Sequence, residues 1–315
     1  MSKGKQAVPF LRRQARTLVR CRTLLIMLLP ALTLIIIFHY IPMYGIVVAF
    51  KKFNYADGIM NSPWVGLKNF DFFFASGQWW PVTRNTMLYS LTFLLINTAL
   101  QLLFSIILSE LTSRWFRKLS QTLMLLPYFI SWVVVGAMSY NLFNYERGAV
   151  NSLLVALGMN RVDIYGTPQL WPFLLVLFSV WKGVGYNTVV YLAAITGLDP
   201  EITEAAEIDG ANIFQRIRHI TLPSIAPTII ILLLLSIGNL FRGDFGMFYN
   251  LVGLNNGRLF ATTDIIDMYV FRSLFTSGGL ERGAAAGLYQ SLLCFITIMI
   301  ANFAVRKYDK DYALF

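Results

Sequence analysis

Nine side chains interrupt otherwise apolar stretches of this sequence and are the groups best suited to handle a polar solute. Asn97 and Gln101 stand one helical turn apart in one run. Trp181, Lys182, Tyr186 and Asn187 break into another, and Asn239, Arg242 and Asp244 stand where a third ends. Carboxamides donate and accept hydrogen bonds, aromatic rings offer flat faces, and a lysine or arginine holds an opposite charge. This is chemistry for holding a molecule rather than for breaking a bond. The bland alternative for each is a hydrogen bond between helices or, for Lys182, an apolar stem that snorkels to an interface. The two histidines, His39 in an apolar run and His219 in a charged segment, support no Ser-His-Asp or Cys-His arrangement. Cys21 and Cys294 form neither a metal-ligand cluster nor a plausible disulfide. No phosphate-cradling G-x-x-x-x-G-K-[ST] occurs, and the one Gly-Lys pair is Gly4-Lys5, so the chain is expected to bind neither ATP nor a metal of its own.

The elements that must position these residues follow from composition. Of 315 residues, 57% are hydrophobic and 13% are charged, and the mean hydropathy is +0.60. Soluble domains carry about a quarter charged residues. Together with several apolar runs of spanning length, the deficit predicts an all-α polytopic membrane protein. Six spans are expected near residues 24–48, 86–108, 121–143 (kinked at Pro127), 170–195, 224–240 and 284–305. The net charge of +10 is read as orientation rather than nucleic-acid binding. Seven of the lysines and arginines lie in residues 1–23, which places both termini in the cytoplasm. The division that follows is a basic arm over 1–23, a first span with an aromatic-rich outer segment over 24–85, a transmembrane core over 86–305 and a tail over 306–315. The outer segment is expected to act as a cap or as a docking surface. Residues 242–283 form the longest outer segment, with a short helix around TTDIIDMYVFRSLF.

Between the fourth and fifth spans lies DPEITEAAEIDGANIFQRIRHITLP. Asp199 followed by Pro200 predicts a helix start, and Gly210 a stop. A second short helix is expected to begin near Asn212, with Ile213, Phe214, Ile217 and Ile220 as its apolar stripe, and Pro223 is expected to open the next span. The adjacent Ala205 and Ala206 are small enough to let another backbone approach, so the segment reads as a cytoplasmic knob that fits a socket on a partner.

Glu204-Ala205-Ala206, three residues, Gly210, nine residues, then Ile220-x-Leu222-Pro223 resembles the signature of permease subunits of binding-protein-dependent type I ABC importers. The resemblance extends over 86–302. IPMYGIVVAFKKF, SPWVGLKNF, YFISWVVVG and WKGVGYNTVVYLAAITGLDPEITEAAEIDGA resemble the branch that imports complex sugars and oligosaccharides. The resemblance implies the type I permease fold in a bacterial cytoplasmic membrane. It implies a coupling helix docking in an ATP-binding subunit (two per complex, holding the ATP and Mg), a second homologous permease, and an extracytoplasmic solute-binding protein that delivers a sugar or oligosaccharide. The nine pathway residues suit a sugar, and if Lys182 and Arg242 face the channel, one with carboxylates. Competing readings are a permease of the same class for a non-sugar solute, a lone ion-coupled carrier, and an intramembrane enzyme. The last two lack, respectively, clear relay residues with internal repeats and a catalytic constellation.

Overall fold

Inside hydrocarbon no water satisfies the backbone, so apolar runs are driven into helices. The computed structural model describes residues 21–276 and 279–309, together with Ala313. The basic arm before residue 21 and most of the tail after 309 lie outside the described residues. Among the described residues no strand forms, and one isolated bridge pairs Lys51 with Trp64.

The first helical run, α1 (Arg22–Phe50), has no buried residue in its apolar stretch. It passes through a π-turn at Ile36–Tyr40, two residues ahead of Pro42, and closes in a tighter turn over Tyr44–Phe50. Two short helices, α2 (Gly58–Asn61) and α3 (Lys68–Ala75), fold back on its end. Phe50 stacks on Trp64 with centroids 5.7 Å apart, and the Asn69 carboxamide donates to the carbonyls of Ala49 and Lys51. Phe73 is buried against Tyr269 and Tyr289, so part of the aromatic segment is core.

α4 (Trp79–Glu110) precedes α5 (Arg114–Phe129) and α6 (Trp132–Phe143), which meet at 92°. The expected third span over 121–143 is therefore a broken pair and not one kinked helix. Pro127 opens a tight turn over Leu126–Phe129, and the Ser131 side chain then accepts from the Val134 N–H and caps α6. α7 (Ala149–Ala156) leads to α8 (Pro168–Thr196), the long partner of α4. Next come α9 (Pro200–Ile208) and α10 (Ile213–Ile237). Here too the expectation is corrected: the helix capped by Asn212 is not separate from the fifth span, which begins at Ile213 rather than 224. Pro223 lacks the N–H an α-helix needs, and a π-turn over Ile217–Thr221 absorbs the mismatch without ending the helix. The π-turn in α1 stands at the same offset from Pro42.

The segment after α10 is helical and packed, with the expected short helix at Ile266–Ser273. It folds into α11 (Phe245–Leu251), α12 (Phe260–Thr263) and α13 (Ile266–Ser273) before α14 (Gly279–Tyr308). Phe248, Leu259 and Ile265, all 0% exposed, join Tyr89, Val135, Trp171 and Leu175 in the main buried cluster. A Cβ on Gly136 would lie 2.5 Å from the Asn250 carbonyl oxygen, so α6 and α11 approach backbone to backbone. Polar groups of α4 stitch this segment down: Tyr89 donates to the Thr262 carbonyl, Asn85 to the Asp264 carbonyl, and the Thr86 hydroxyl accepts from the Ile266 N–H. Arg272 forks both guanidinium nitrogens onto the Asp264 carboxylate and lies over the Phe260 ring. Burial still pushes the Asp264 carboxyl above the ordinary carboxylate range, with the Arg272 contacts opposing the shift. Among the described residues, five helices are long and apolar enough to cross a membrane, six if the bent pair counts as one span.

Candidate solute cavity and exposed knob

α4, α8 and the far end of α10 line an open-sided cavity of about 650 Å³. The faces that line it follow helical spacing. Ser90, Phe93, Leu94, Asn97, Thr98 and Gln101 come from α4, and Ser179, Lys182, Gly183, Tyr186 and Asn187 from α8. Leu232, Leu235, Ser236 and Asn239 come from α10 and the turn after it. Eight of the nine side chains singled out in sequence therefore face one space: Asn97, Gln101, Lys182, Tyr186, Asn187, Asn239, Arg242 and Asp244. Trp181 is not among them. One residue from Lys182 turns it about 100° around the helix, into an apolar groove lined by Val135, Met138, Phe143 and Phe178. Ser90, Thr98 and Ser179 join the eight, although only the first two lie at helical spacing from the Asn97–Gln101 pair, Ser90 seven residues before Asn97 and Thr98 three before Gln101. Tyr128 and Trp132 enter only because the α5–α6 break turns them inward.

These groups are not equally free. Asn97 spends its donors on the Phe93 carbonyl (2.8 Å) and the Ser179 hydroxyl (3.1 Å), and its buried Oδ1 has no partner. Gln101 donates to the Gly183 carbonyl at 3.2 Å, tying α4 to α8. Asn239 donates to the Leu235 carbonyl, and Asp244 caps α11 through the Met247 N–H at 3.0 Å. Lys182 is the most committed. Its ammonium donates to the carbonyls of Tyr128 (2.7 Å), Ile130 (2.6 Å) and Pro127 (3.4 Å), and it lies between the faces of Tyr128 and Trp132. Its two short contacts serve the Tyr128 and Ile130 carbonyls at the helix break, while the Pro127 carbonyl also accepts the Ile130 N–H, the kind of satisfaction irregular backbone demands at membrane depth. By contrast, the side chains of Asn187, Tyr186 and Arg242 make no hydrogen bond or ion pair among the described residues, and Tyr186 and Arg242 are exposed. The Tyr186 ring stacks on Tyr128 at 4.8 Å and 18°, which gives the cavity a flat aromatic wall.

At the other end of α10 the charged segment is built from local caps. The Asp199 side chain accepts from the Glu201 N–H at 3.0 Å and starts α9, with Pro200 in its first turn. Gly210 stops it at φ +81°, where a side chain would be strained. The Ala211 N–H returns to the Ala206 carbonyl and the Gly210 N–H to that of Glu207, a Schellman closure. Asn212 and Gln215 then exchange side-chain and backbone hydrogen bonds and open α10. Glu204, Ala205 and Gly210 are exposed and Ala206 is half-buried. Ile220 and Leu222 are half-buried and Pro223 is exposed on α10. The expected apolar stripe does not pack as a unit, for Phe214 is 78% exposed. With Ile208 at 87% and Ile202 at 53% it makes an uncovered apolar surface beside the alanines.

A family model described as "Binding-protein-dependent transport system inner membrane component" matches residues 101–310. The polygalacturonan/rhamnogalacturonan transport system permease protein of Bacillus subtilis (strain 168) is 33% identical over 294 residues, covering 93% of this chain and 91% of that protein. A crystal structure of a bacterial ABC transporter involved in the import of the acidic polysaccharide alginate superimposes with a TM-score of 0.84. Identity is 31%, over 94% of this chain and 99% of that one. The same kind of transporter in complex with an alginate pentasaccharide-bound periplasmic protein gives 0.83 and 30%, over 94% and 98%.

Proposed function

Because the chain belongs to the family of binding-protein-dependent transport system inner membrane components, we propose that it forms one half of the path by which a bacterial ABC importer carries a sugar or oligosaccharide across the inner membrane. The observation that carries this reading is α10. A single helix starts in the exposed knob, at the capped Asn212, and ends at the cavity, at Leu232, Leu235 and Ser236. A push on one end reaches the other.

In this reading both termini are cytoplasmic. Partner ATP-binding subunits, two per complex, receive the Glu204–Gly210 knob on its small alanines and its apolar rim of Ile202, Ile208 and Phe214. ATP and Mg belong to those subunits, and this chain supplies only mechanical response. A second homologous permease closes the open side of the cavity, and a solute-binding protein delivers the sugar from outside. Closure of the ATPase pair moves the knobs and opens the cavity outward, and hydrolysis restores the inward-facing state. The basic arm (1–23), the first span with its outer cap (24–85), the core (86–305) and the tail (306–315) are the working parts. The solute meets the Tyr128–Tyr186 wall, Asn187 and Arg242.

Arg242 also favours an acidic saccharide. It is the cavity cation whose donors are free, since Lys182 is committed to main chain, and relatives are named for polygalacturonan and alginate import. The deciding experiment is uptake into vesicles holding the whole importer, with oligogalacturonate and a neutral oligosaccharide of equal length. Arg242→Gln is expected to reduce uptake of the charged sugar by about tenfold, the effect of losing one hydrogen bond to a charged group, and to leave any neutral uptake unchanged. Equal loss for both overturns the acidic assignment. Failure of wild-type complexes to co-purify an ATPase overturns the importer reading itself.

A further inference from the structure

We propose that Arg216 is a positioning residue that locks the knob, α10 and the cytoplasmic end of α4 into one moving unit, so that a displacement of the knob reaches both helices that wall the cavity. Arg216 lies in the first turn of α10, and its side chain is only 14% exposed. One guanidinium nitrogen pairs with Glu207 of α9, and the other lies 3.6 Å from the carboxylate of Glu110, the last residue of α4. Three helices thus meet at one cation.

Electrostatics explain why the cation is needed there. Glu110 places a negative charge at the negative end of a 32-residue helix, where the backbone dipole disfavours it. Arg216 offsets that charge, and Arg117 of α5 donates to the adjacent carbonyls of Ser109 and Leu111. Without Arg216, the carboxylates of Glu110 and Glu207 would be left near each other with no shared counter-charge. α9 has little else to hold it: among the described residues it makes no extensive packing with a spanning helix. Its side-chain tie to the bundle is this ion pair, and a half-buried charge shared by two carboxylates resists separation better than an exposed surface pair. The two helices so joined carry opposite walls of the cavity, Ser90 to Gln101 on α4 and Leu232 to Arg242 on α10 and its extension.

This inference rests on the knob being the site where the ATPase acts. In it, loss of the tie lets α9 follow the ATPase while α4 lags, so hydrolysis continues with less transport. The test uses the complete importer reconstituted with its ATPase subunits, second permease and binding protein, and reads ATP hydrolysed per sugar imported. Glu110→Gln cuts the tie to α4 while leaving the Glu207 pair in place, and Arg216→Met cuts both. Each is expected to raise the ratio at least about fivefold, the lower end of ordinary coupling between sites. The double variant should be no worse than Arg216→Met alone, as for residues acting through one contact. Arg216→Lys should restore part of the coupling. Unchanged ratios in Glu110→Gln, or losses that add in the double variant, overturn the assignment. If Arg216→Met does not assemble, Glu110→Gln decides alone. Cross-linking from Ala205→Cys to the ATPase separates the two levels. If wild-type-like contact persists with an unchanged ratio, only this inference fails. If no contact forms in any complex, the importer reading fails.

Discussion

The knob around Gly210 and the elbow between α5 and α6 both reverse the chain sharply, but they satisfy the backbone by opposite means. At the knob every cap comes from within a few residues: Asp199 serves Glu201, Ala211 returns to Ala206, and Asn212 trades bonds with Gln215. The segment is exposed and charged, so whatever the caps leave unpaired can be hydrated. At the elbow the carbonyls of Tyr128 and Ile130 are met by Lys182, 54 and 52 residues further along the chain. In a membrane the donor has to come from protein, and a long side chain on a neighbouring helix can deliver it. A turn in water is a local matter, whereas one in lipid depends on the fold.

The contrast can be broken most directly at the elbow. Lys182→Met removes the Lys182 donor from the Tyr128 and Ile130 carbonyls at about 1–3 kcal/mol each. It is expected to lower the thermal midpoint of the purified complex by several degrees and to cut uptake of charged and neutral sugars alike. An unchanged midpoint would mean the elbow needs no remote support. At the knob, Gly210→Val forces a branched residue into a left-handed conformation at about 1–3 kcal/mol. Uptake should be abolished, and so should it be in Glu204→Lys, while membrane insertion and thermal midpoint stay near wild type. Transport by either variant would detach the knob from the mechanism. Smaller still is Asn212→Ala, which removes half of a capping box at about 1 kcal/mol. Its expected effect is a modest fall in uptake rate with no change in sugar preference, and a loss as complete as that of Gly210→Val would show that the caps are not independent local devices.

The same contrast sets how much could be read before the structure. Asp199, Gly210 and Asn212 announce their turns by residue type, because their partners are neighbours in sequence. Asn97, Gln101, Lys182, Tyr186 and Asn187 could be gathered as polar interruptions, and helical spacing brings them to one cavity. That spacing also turns Trp181 away, a distinction that depends on which face of α8 meets α4. What stayed hidden rests on distant contacts. Lys182 looks like a substrate cation until its carbonyl partners are seen. The residues of α11, FGMFYNL, carry no sign that Phe248 is fully buried between spans. Pro223 signals a helix start by type, yet the π-turn before it lets the helix run through, and no local rule distinguishes these outcomes.

That continuity has a geometric consequence. With 25 residues at about 1.5 Å each, α10 is a rod of about 37 Å, roughly the depth of the bilayer. Rotated about a fulcrum near its middle, such a lever would swing its two tips by similar amounts in opposite directions. If a partner ATPase grips the knob as proposed, a shift of a few ångströms there would reappear, reversed, beside Arg242. The widened turn over Ile217–Thr221 lies close to the knob end, where any compliance in the shaft would blunt such a stroke before it reached the cavity.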